Sequence, residues 1–350
     1  MRIGLIAPAW VPVPPPAYGG TEVVVDLLAR GLQAAGHDVL LAAAADSTCP
    51  VPRVPGTAPS DYEALNETVS ALAHSVRAYA AMGEVDLIHD HTITGPLYRR
   101  RPPGIPVVVT NHGPFAGGTL TLFRAMAPDT AIVAISRDQA GHADGFGITR
   151  VIHHGLEPER IRIGRGDGGY AAFLGRMSPT KGVAHALRIA RAAGVPLRIA
   201  AKMREPAEKA YFEAEVRPLL TREHEYVGEV SDAEKYELVG AAFALLNPIQ
   251  WSEPFGLAMV EALATGTPVV ATPSGSAPEI VRHGETGFLA EVDDLAELLP
   301  RAAELDRDLC RADVETRFSA ARMVADHLRL YDDILSARTR MSSGTGRLSG

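Results

Sequence analysis

The stretch Tyr170-Ala-Ala-Phe-Leu-Gly-Arg-Met-Ser-Pro-Thr-Lys-Gly182 decides the fold. Tyr170–Leu174 is an apolar run with the length of a buried strand. Gly175 to Lys181 is a loop, and Gly182–Ala193 has the apolar period of a helix. Strand Leu197–Ala201 follows and completes a βαβ unit. The same rhythm opens the chain: strand Ile3–Ala7, a Pro-rich loop ending in Tyr18-Gly19-Gly20, helix Thr21–Ala35 and strand Val39–Ala44. In that helix Val24, Leu27, Leu28 and Leu32 form one stripe, and Gly36 ends it. Helix Tyr62–Met82 and strands Val85–Asp90, Val107–Thr110 and Ala131–Ile135 continue the first series, with a further helix after Ser136. The second series continues through helix Ala207–Leu220, strand Glu225–Val227, helix Asp232–Gly240 and strand Ala242–Leu246. A helix from Phe255 and strand Pro268–Ala271 extend it.

Alternating strands and helices imply parallel sheets covered on both faces. Val151–Gly169, rich in Gly, His, Pro and Arg, breaks the series in two. The expectation is an α/β chain of two doubly wound Rossmann-like domains facing a cleft, residues 1–153 and 154–318. A last helix, 319–335, carries a packing stripe and packs back on the first domain. Residues 336–350, rich in Ser, Gly and Arg, are expected as an unordered tail.

Composition limits the function. The 350 residues are 46% hydrophobic and 22% charged, as in a globular protein with full cores. A net charge of −8 argues against binding nucleic acid through a broad positive field. Cys49 and Cys310 lie far apart, so neither a disulfide framework nor a cysteine zinc site follows. No signal-peptide core or membrane-length apolar run is seen, and a cytoplasmic location is the default expectation.

Two stretches carry chemistry. Arg176 and Lys181 project from the carboxyl edge of the second sheet, and this pair of side chains suits phosphate. Glu253 precedes, and Glu261 lies within, the helix that starts near Phe255. The N-terminus of that helix offers free N–H groups and partial positive charge to an anion. Anion seat and hydroxyl-seeking carboxylates together suit a sugar attached to a phosphate. Gly164-Arg-Gly166-Asp-Gly-Gly169 matches a dinucleotide fingerprint but precedes a strand, with no helix opening after it. It is therefore expected as a mobile loop. His89 and His91 alternate on a strand end; a structural pair is expected over a metal site, since no third ligand is marked.

Glu253-Pro-Phe-Gly-Leu-Ala-Met-Val-Glu261, Gly175-Arg176 through Lys181-Gly182, and Tyr18-Gly-Gly-Thr-Glu22 resemble the family 4 glycosyltransferases of GT-B fold, a likeness running from Ile3 to about Leu335. The resemblance implies a retaining transfer of a hexosyl group from a nucleoside-diphosphate sugar to an acceptor hydroxyl. Arg176 and Lys181 would hold the diphosphate. Glu261 would bind ribose hydroxyls. Glu253 and the N–H groups of Phe255, Gly256 and Leu257 would hold the donor sugar and distal phosphate. Backbone near Gly228–Val230, Val230 included, would meet the base. Gly19 and Gly20 would approach the phosphates, and His112 would face the donor sugar. No metal or cofactor is required on this reading, and a uridine diphosphate sugar is preferred to guanosine diphosphate mannose. Glu22, Asp26 and Arg30 make the helix Thr21–Ala35 non-basic, which favours a soluble acceptor over a lipid. At the hinge, His153-His154 replaces the family's usual Pro-Asn, either as ordinary hinge residues or as a pH-sensitive feature. The competing readings are another GT-B enzyme, an epimerase or phosphorylase, and a non-catalytic sugar-nucleotide-binding subunit.

Overall fold

The computed structural model describes residues 1–63 and 67–345. Its strands are β1 (Arg2–Ile6), β2 (Asp38–Ala42), β3 (Leu87–Asp90), β4 (Val107–Thr110), β5 (Ala131–Ala134), β6 (Arg150–Val151), β7 (Ala171–Arg176), β8 (Leu197–Lys202), β9 (His224–Gly228), β10 (Ala244–Asn247), β11 (Val269–Ala271) and β12 (Gly287–Leu289). The helices are α1 (Gly20–Ala34), α2 (Thr68–Ala81), α3 (Gly117–Met126), α4 (Arg137–Gly141), α5 (Val183–Ala193), α6 (Pro206–Tyr211), α7 (Asp232–Ala241), α8 (Leu257–Ala264), α9 (Ala277–Ile280), α10 (Leu295–Leu298), α11 (Arg307–Arg317) and α12 (Ala320–Thr345).

The chain divides into two compact units. One comprises Met1–Ile135, Ala140–Gly155 and Ala320–Gly350; the other comprises Ser136–Gln139 and Leu156–Ser319. Each holds one six-stranded parallel sheet, the first in order β2-β1-β3-β4-β5-β6 and the second in order β12-β11-β10-β7-β8-β9. Every residue of β3, β4, β10 and β11 is buried. That explains why these strands are apolar runs without alternation: helices cover both faces. The expected α/β, doubly wound architecture is therefore the observed one. In each sheet the strand order reverses once, between β1 and β3 in the first and between β7 and β10 in the second. Loops leaving the carboxyl ends of the strands that flank such a reversal diverge and leave a crevice for ligands.

Several local expectations change. Ala207–Leu220 is not one helix. After α6 the chain widens into a π-helical turn, Phe212–Val216, and ends in a 3₁₀ turn, Arg217–Leu219. Pro218 has no N–H to donate and its ring crowds the preceding turn, so an α-helix cannot run through it. The expected start of α2 at Tyr62 moves to Thr68, and residues 64–66 of that span lie outside the described residues. Residues expected as tail are helical as far as Thr345, and 346–350 lie outside the described residues. Strands β6 and β12 and helix α11 had no clear sequence signature. Among the described residues no helix is long and apolar enough to cross a membrane.

The Gly164–Gly169 loop is pinned, contrary to the expectation of mobility. Gly164, Gly166 and Gly168 donate backbone N–H groups to the carbonyls of Thr265, Gly240 and Ala241. Arg307 of α11 then fills its guanidinium: Nε meets Gly164 O at 3.0 Å, Nη1 meets Ala242 O at 3.2 Å, and Nη2 meets Gly240 O at 2.9 Å and Thr267 Oγ1 at 2.8 Å. Arg307→Ala strands several carbonyls at once and should cost about 3 kcal/mol of stability, read from urea unfolding. An unchanged midpoint would refute this role.

A second stability prediction concerns histidine. Burial holds His89, His91 and His154 well below the ordinary imidazole range, His327 at about 4 and His112 at about 3. The unfolded chain takes protons near pH 6.5 that the folded chain refuses. Stability is therefore full above that pH and falls as pH drops toward the folded-state values. Each histidine contributes at most about 1.4 kcal/mol per pH unit. The melting temperature should drop steeply between pH 7 and pH 5; a flat profile would contradict neutral burial.

Candidate functional site

In the second unit the loops leaving β7 and β10 carry the candidate residues. The loop after β7 places Lys181 at the end of a 3₁₀ turn, Pro179–Lys181. Gly182 follows at φ 77°, and a Cβ there would lie 2.0 Å from Pro248 O, so only glycine lets this loop press against the exit from β10. Gln250 N donates to Thr180 O at 2.8 Å and ties the two loops. The Lys181 ammonium then donates to Glu253 Oε2, and Trp251 Nε1 donates to the same oxygen at 2.9 Å. Lys181 also sits 5.5 Å from the Trp251 ring centre.

The loop after β11 closes over Glu253 from the other side. Gly275, at φ 62°, has no room for a side chain: a Cβ would lie 2.2 Å from Glu253 N. Ser276 N donates to Glu253 O at 2.9 Å, and Ser276 Oγ donates to Phe255 O. Glu253 and Phe255 are thereby buried and fixed. Gly256, at φ 78°, is the N-cap of α8, which starts at Leu257 and not at Phe255. No side chain caps α8 and no acidic residue occupies its first turn, so its positive pole is unanswered by the helix itself.

Arg176 ends β7 beside Lys202 of β8 in register. Its Nε stands 3.8 Å from Glu208 Oε1, whereas the buried Lys202 ammonium meets Glu208 at 3.2 Å and Glu205 at 2.8 Å. The two sequence-predicted cations thus share a sheet edge but address different carboxylates: Lys181 turns to Glu253 and Arg176 to Glu208. Glu261, about one turn into α8, is half-buried and accepts from Lys235 Nζ at 2.7 Å. Burial alone would lower the Lys235 ammonium, but the Glu261 and Asp232 carboxylates outweigh it and hold it above its ordinary range. Val230 lies half-buried between Glu229, which grips Arg204, and the capping box of α7 at Ser231.

In the first unit Gly19 caps α1 and Gly20 begins it. Glu22, in the first turn, is buried, which raises its carboxyl to about 7. Asp26 is buried too and pairs with Arg30 at 2.8 Å. These charges do not describe an exposed surface, so the argument from them to a soluble acceptor loses its basis. His112 follows β4. Its Nε2 lies 2.9 Å from His91 Nδ1, and its Nδ1 lies 3.3 Å from His154 Nε2. His89 is satisfied structurally, between Tyr331 Oη at 2.7 Å and Thr110 Oγ1 at 2.8 Å. His154 is more than an ordinary hinge residue: it is buried and stacks on His112 at 5.1 Å between ring centres.

Sequence reasoning missed Trp251, Lys235, Lys202 and Glu208. Only Lys235 had a nearby signal, the Ser231-x-x-Glu234 capping box that fixes where α7 starts. Among the described residues no group of three or more His, Cys, Asp or Glu side chains is arranged to hold a metal ion.

The family profile described as Glycosyl transferases group 1 matches residues 159–312, and that described as Glycosyltransferase Family 4 matches residues 18–160. A phosphatidyl-myo-inositol mannosyltransferase of Mycobacterium leprae is 25% identical over 97% of this chain and 99% of its own. Sucrose-phosphate synthase from Thermosynechococcus elongatus superposes with a TM-score of 0.78 at 21% identity, covering 96% of this chain and 99% of that one. The Anabaena protein HepE, in complex with UDP and glucose, superposes with a TM-score of 0.73 at 21% identity, covering 94% and 99%. Adjoining profiles over the two units, and two doubly wound sheets of matching architecture, make this chain a glycosyltransferase of family 4 with the GT-B fold.

Proposed function

We propose that the chain moves a hexosyl group from a nucleoside-diphosphate sugar to an acceptor hydroxyl, with retention of anomeric configuration. One observation carries this reading. Lys181, Glu253 and the uncapped start of α8 converge where the strand order of the second sheet reverses. Breaking the donor's glycosidic bond puts negative charge on the departing diphosphate. Lys181 and the N–H groups at Phe255, Gly256 and Leu257 would receive it, and Arg176 lies along the same sheet edge. Before donor binds, Glu253 holds the ammonium in place. When the diphosphate takes that ammonium, the carboxylate is released to accept from sugar hydroxyls. Lys235 holds one oxygen of Glu261, which orients the carboxylate toward ribose hydroxyls, and backbone at Val230 meets the base.

The family resemblance gives Gly19, Gly20 and His112 donor-contacting roles. It also implies that the departing phosphate oxygen accepts the acceptor's proton, with no covalent nucleophile. A uridine diphosphate sugar is our reading of the donor, in keeping with the HepE complex with UDP and glucose; guanosine diphosphate mannose is the alternative.

Arg176 gives the cleanest test because its side chain is 43% exposed, so truncation leaves little buried charge behind. Arg176→Ala should keep its melting temperature and lose on the order of a hundredfold in turnover, about 3 kcal/mol of barrier. Turnover within twofold of the parent would remove Arg176 from the mechanism. A thermal-shift series with UDP, GDP and their sugars checks the donor: a ligand of the native state raises its melting point by mass action, about 2.7 kcal/mol at a hundred times Kd. We expect UDP to shift it. A shift with GDP alone would reverse the base assignment, and no shift with either would sink the donor site.

A further inference from the structure

Three imidazoles of the first unit stand in series, and His112 is the middle one. His91 Nδ1 lies 2.9 Å from His112 Nε2, and His112 Nδ1 lies 3.3 Å from His154 Nε2. The ring centres are 5.2 Å apart for the first pair and 5.1 Å for the second, with interplanar angles of 35° and 23°. Both nitrogens of His112 are thus taken by neighbouring rings. His91 comes directly after β3, His112 lies two residues beyond β4, and His154 is in the segment after β6.

A neutral imidazole has one N–H to donate and one lone pair to accept with. The series therefore has two neutral arrangements. The hydrogens run either from His91 toward His154 or from His154 toward His91. The second arrangement puts a hydrogen on His91 Nε2. That atom is buried and has no hydrogen-bond partner among the described residues. A buried N–H without an acceptor is the rarer and costlier defect, whereas a buried lone pair is tolerated more readily. The first arrangement is favoured on that ground. His91 donates to His112 Nε2, and His112 donates from Nδ1 to His154 Nε2.

The surroundings leave this direction in place. His89 on β3 is occupied by Thr110 and Tyr331. From α12, His327 bonds the carbonyl of Met323, and Arg322 donates to the carbonyls of His153 and His154. Asp326, also on α12, is paired with Arg322 and Arg329. Asp90 on β3 accepts from Tyr79 Oη and Thr92 N.

We propose that His91 and His154 are positioning residues, which together hold His112 in one neutral tautomer with its hydrogen on Nδ1. The consequence for turnover rests on the donor-contacting role proposed for His112; the tautomer itself does not. With its orientation set from both sides, His112 presents a fixed ring face and edge in place of a rotating one. The chain's own departure at 153–154 is then functional: the ring at 154 accepts the hydrogen that fixes His112. An asparagine there could accept the same hydrogen through its side-chain carbonyl, and a leucine could not.

Histidine-selective ¹⁵N labelling of the full chain tests this directly, because two-bond ¹H–¹⁵N spectra distinguish the two tautomers. His112→Gln assigns the resonance by its loss. At pH 7.5 the parent and His154→Asn should show His112 as the Nδ1–H form alone. His154→Leu should show a mixture. In turnover, His154→Leu should lose roughly tenfold in kcat, the effect of one lost positioning hydrogen bond. The lost acceptor also favoured the imidazolium, so the acid limb should move downward, while His154→Asn restores both. His91→Leu, which removes the other partner, makes the same measurement if leucine at 154 prevents folding. An Nδ1–H signal in the parent that is lost in the leucine variant supports the proposal. An Nε2–H signal in the parent, or a tautomer indifferent to both leucine substitutions, overturns it. A tautomer that shifts as expected with kcat and acid limb unchanged keeps the hydrogen-bond series and removes His112 from the reaction.

Discussion

Everything assigned to the second unit depends on one ion pair between loops. Lys181 leaves β7, Glu253 leaves β10, and their charged ends meet with both side chains mostly out of water, at 17% and 10% exposure. Breaking such a pair by deleting one partner strands the other charge, at a cost of roughly 3 kcal/mol or more. The pair therefore ties the two loops together. It also brings a cation and a carboxylate together at one strand edge. On the proposed function Lys181 would turn to the phosphate and Glu253 to the sugar hydroxyls. Trp251 donates to the same carboxylate oxygen, so the pair is directional and not merely close.

Sheet topology explains why the pair lies there. With the strand order β12-β11-β10-β7-β8-β9, the chain turns one way after β7 and the other way after β10. The two loops leave adjacent strands, and the one after β10 leads into α8. Glycines at 182 and 275 remove the side chains that would hold these segments apart. Two further carboxylates, Glu208 and Glu261, keep Arg176, Lys202 and Lys235 from wandering. The cationic groups of this edge are thus each oriented by a carboxylate, which on the proposed function would lower the reorganisation needed to bind a diphosphate.

Much of this was legible in the chain, and the parts that were not share a cause. The βαβ rhythm is local: a buried strand, a glycine-rich exit and an amphipathic helix each leave their mark within a dozen residues. The pairing of Lys181 with Glu253 was not readable as a contact, but each residue sat at an identifiable strand exit. By contrast, Arg307 reaches back to Gly164, and Lys235 to Glu261, through contacts set by packing across elements. His154 looked like a connector because it follows the very short β6, whose two residues give no periodic signal. Its contact with His112 is made across the end of β5, which lies between β4 and β6 in the sheet. The Ala207–Leu220 stretch misled for the opposite reason. Its apolar period is helical, but Pro218 vetoes the last turn through a single missing N–H.

The most direct measurement is a crystal structure of the protein with a nucleoside diphosphate bound. A distal phosphate oxygen is expected within about 3 Å of Lys181 Nζ and of the N–H groups that open α8. Glu253 would have given up the ammonium, and Glu261 would face the ribose. A diphosphate bound elsewhere in the second unit, with Lys181 still paired to Glu253, would contradict it.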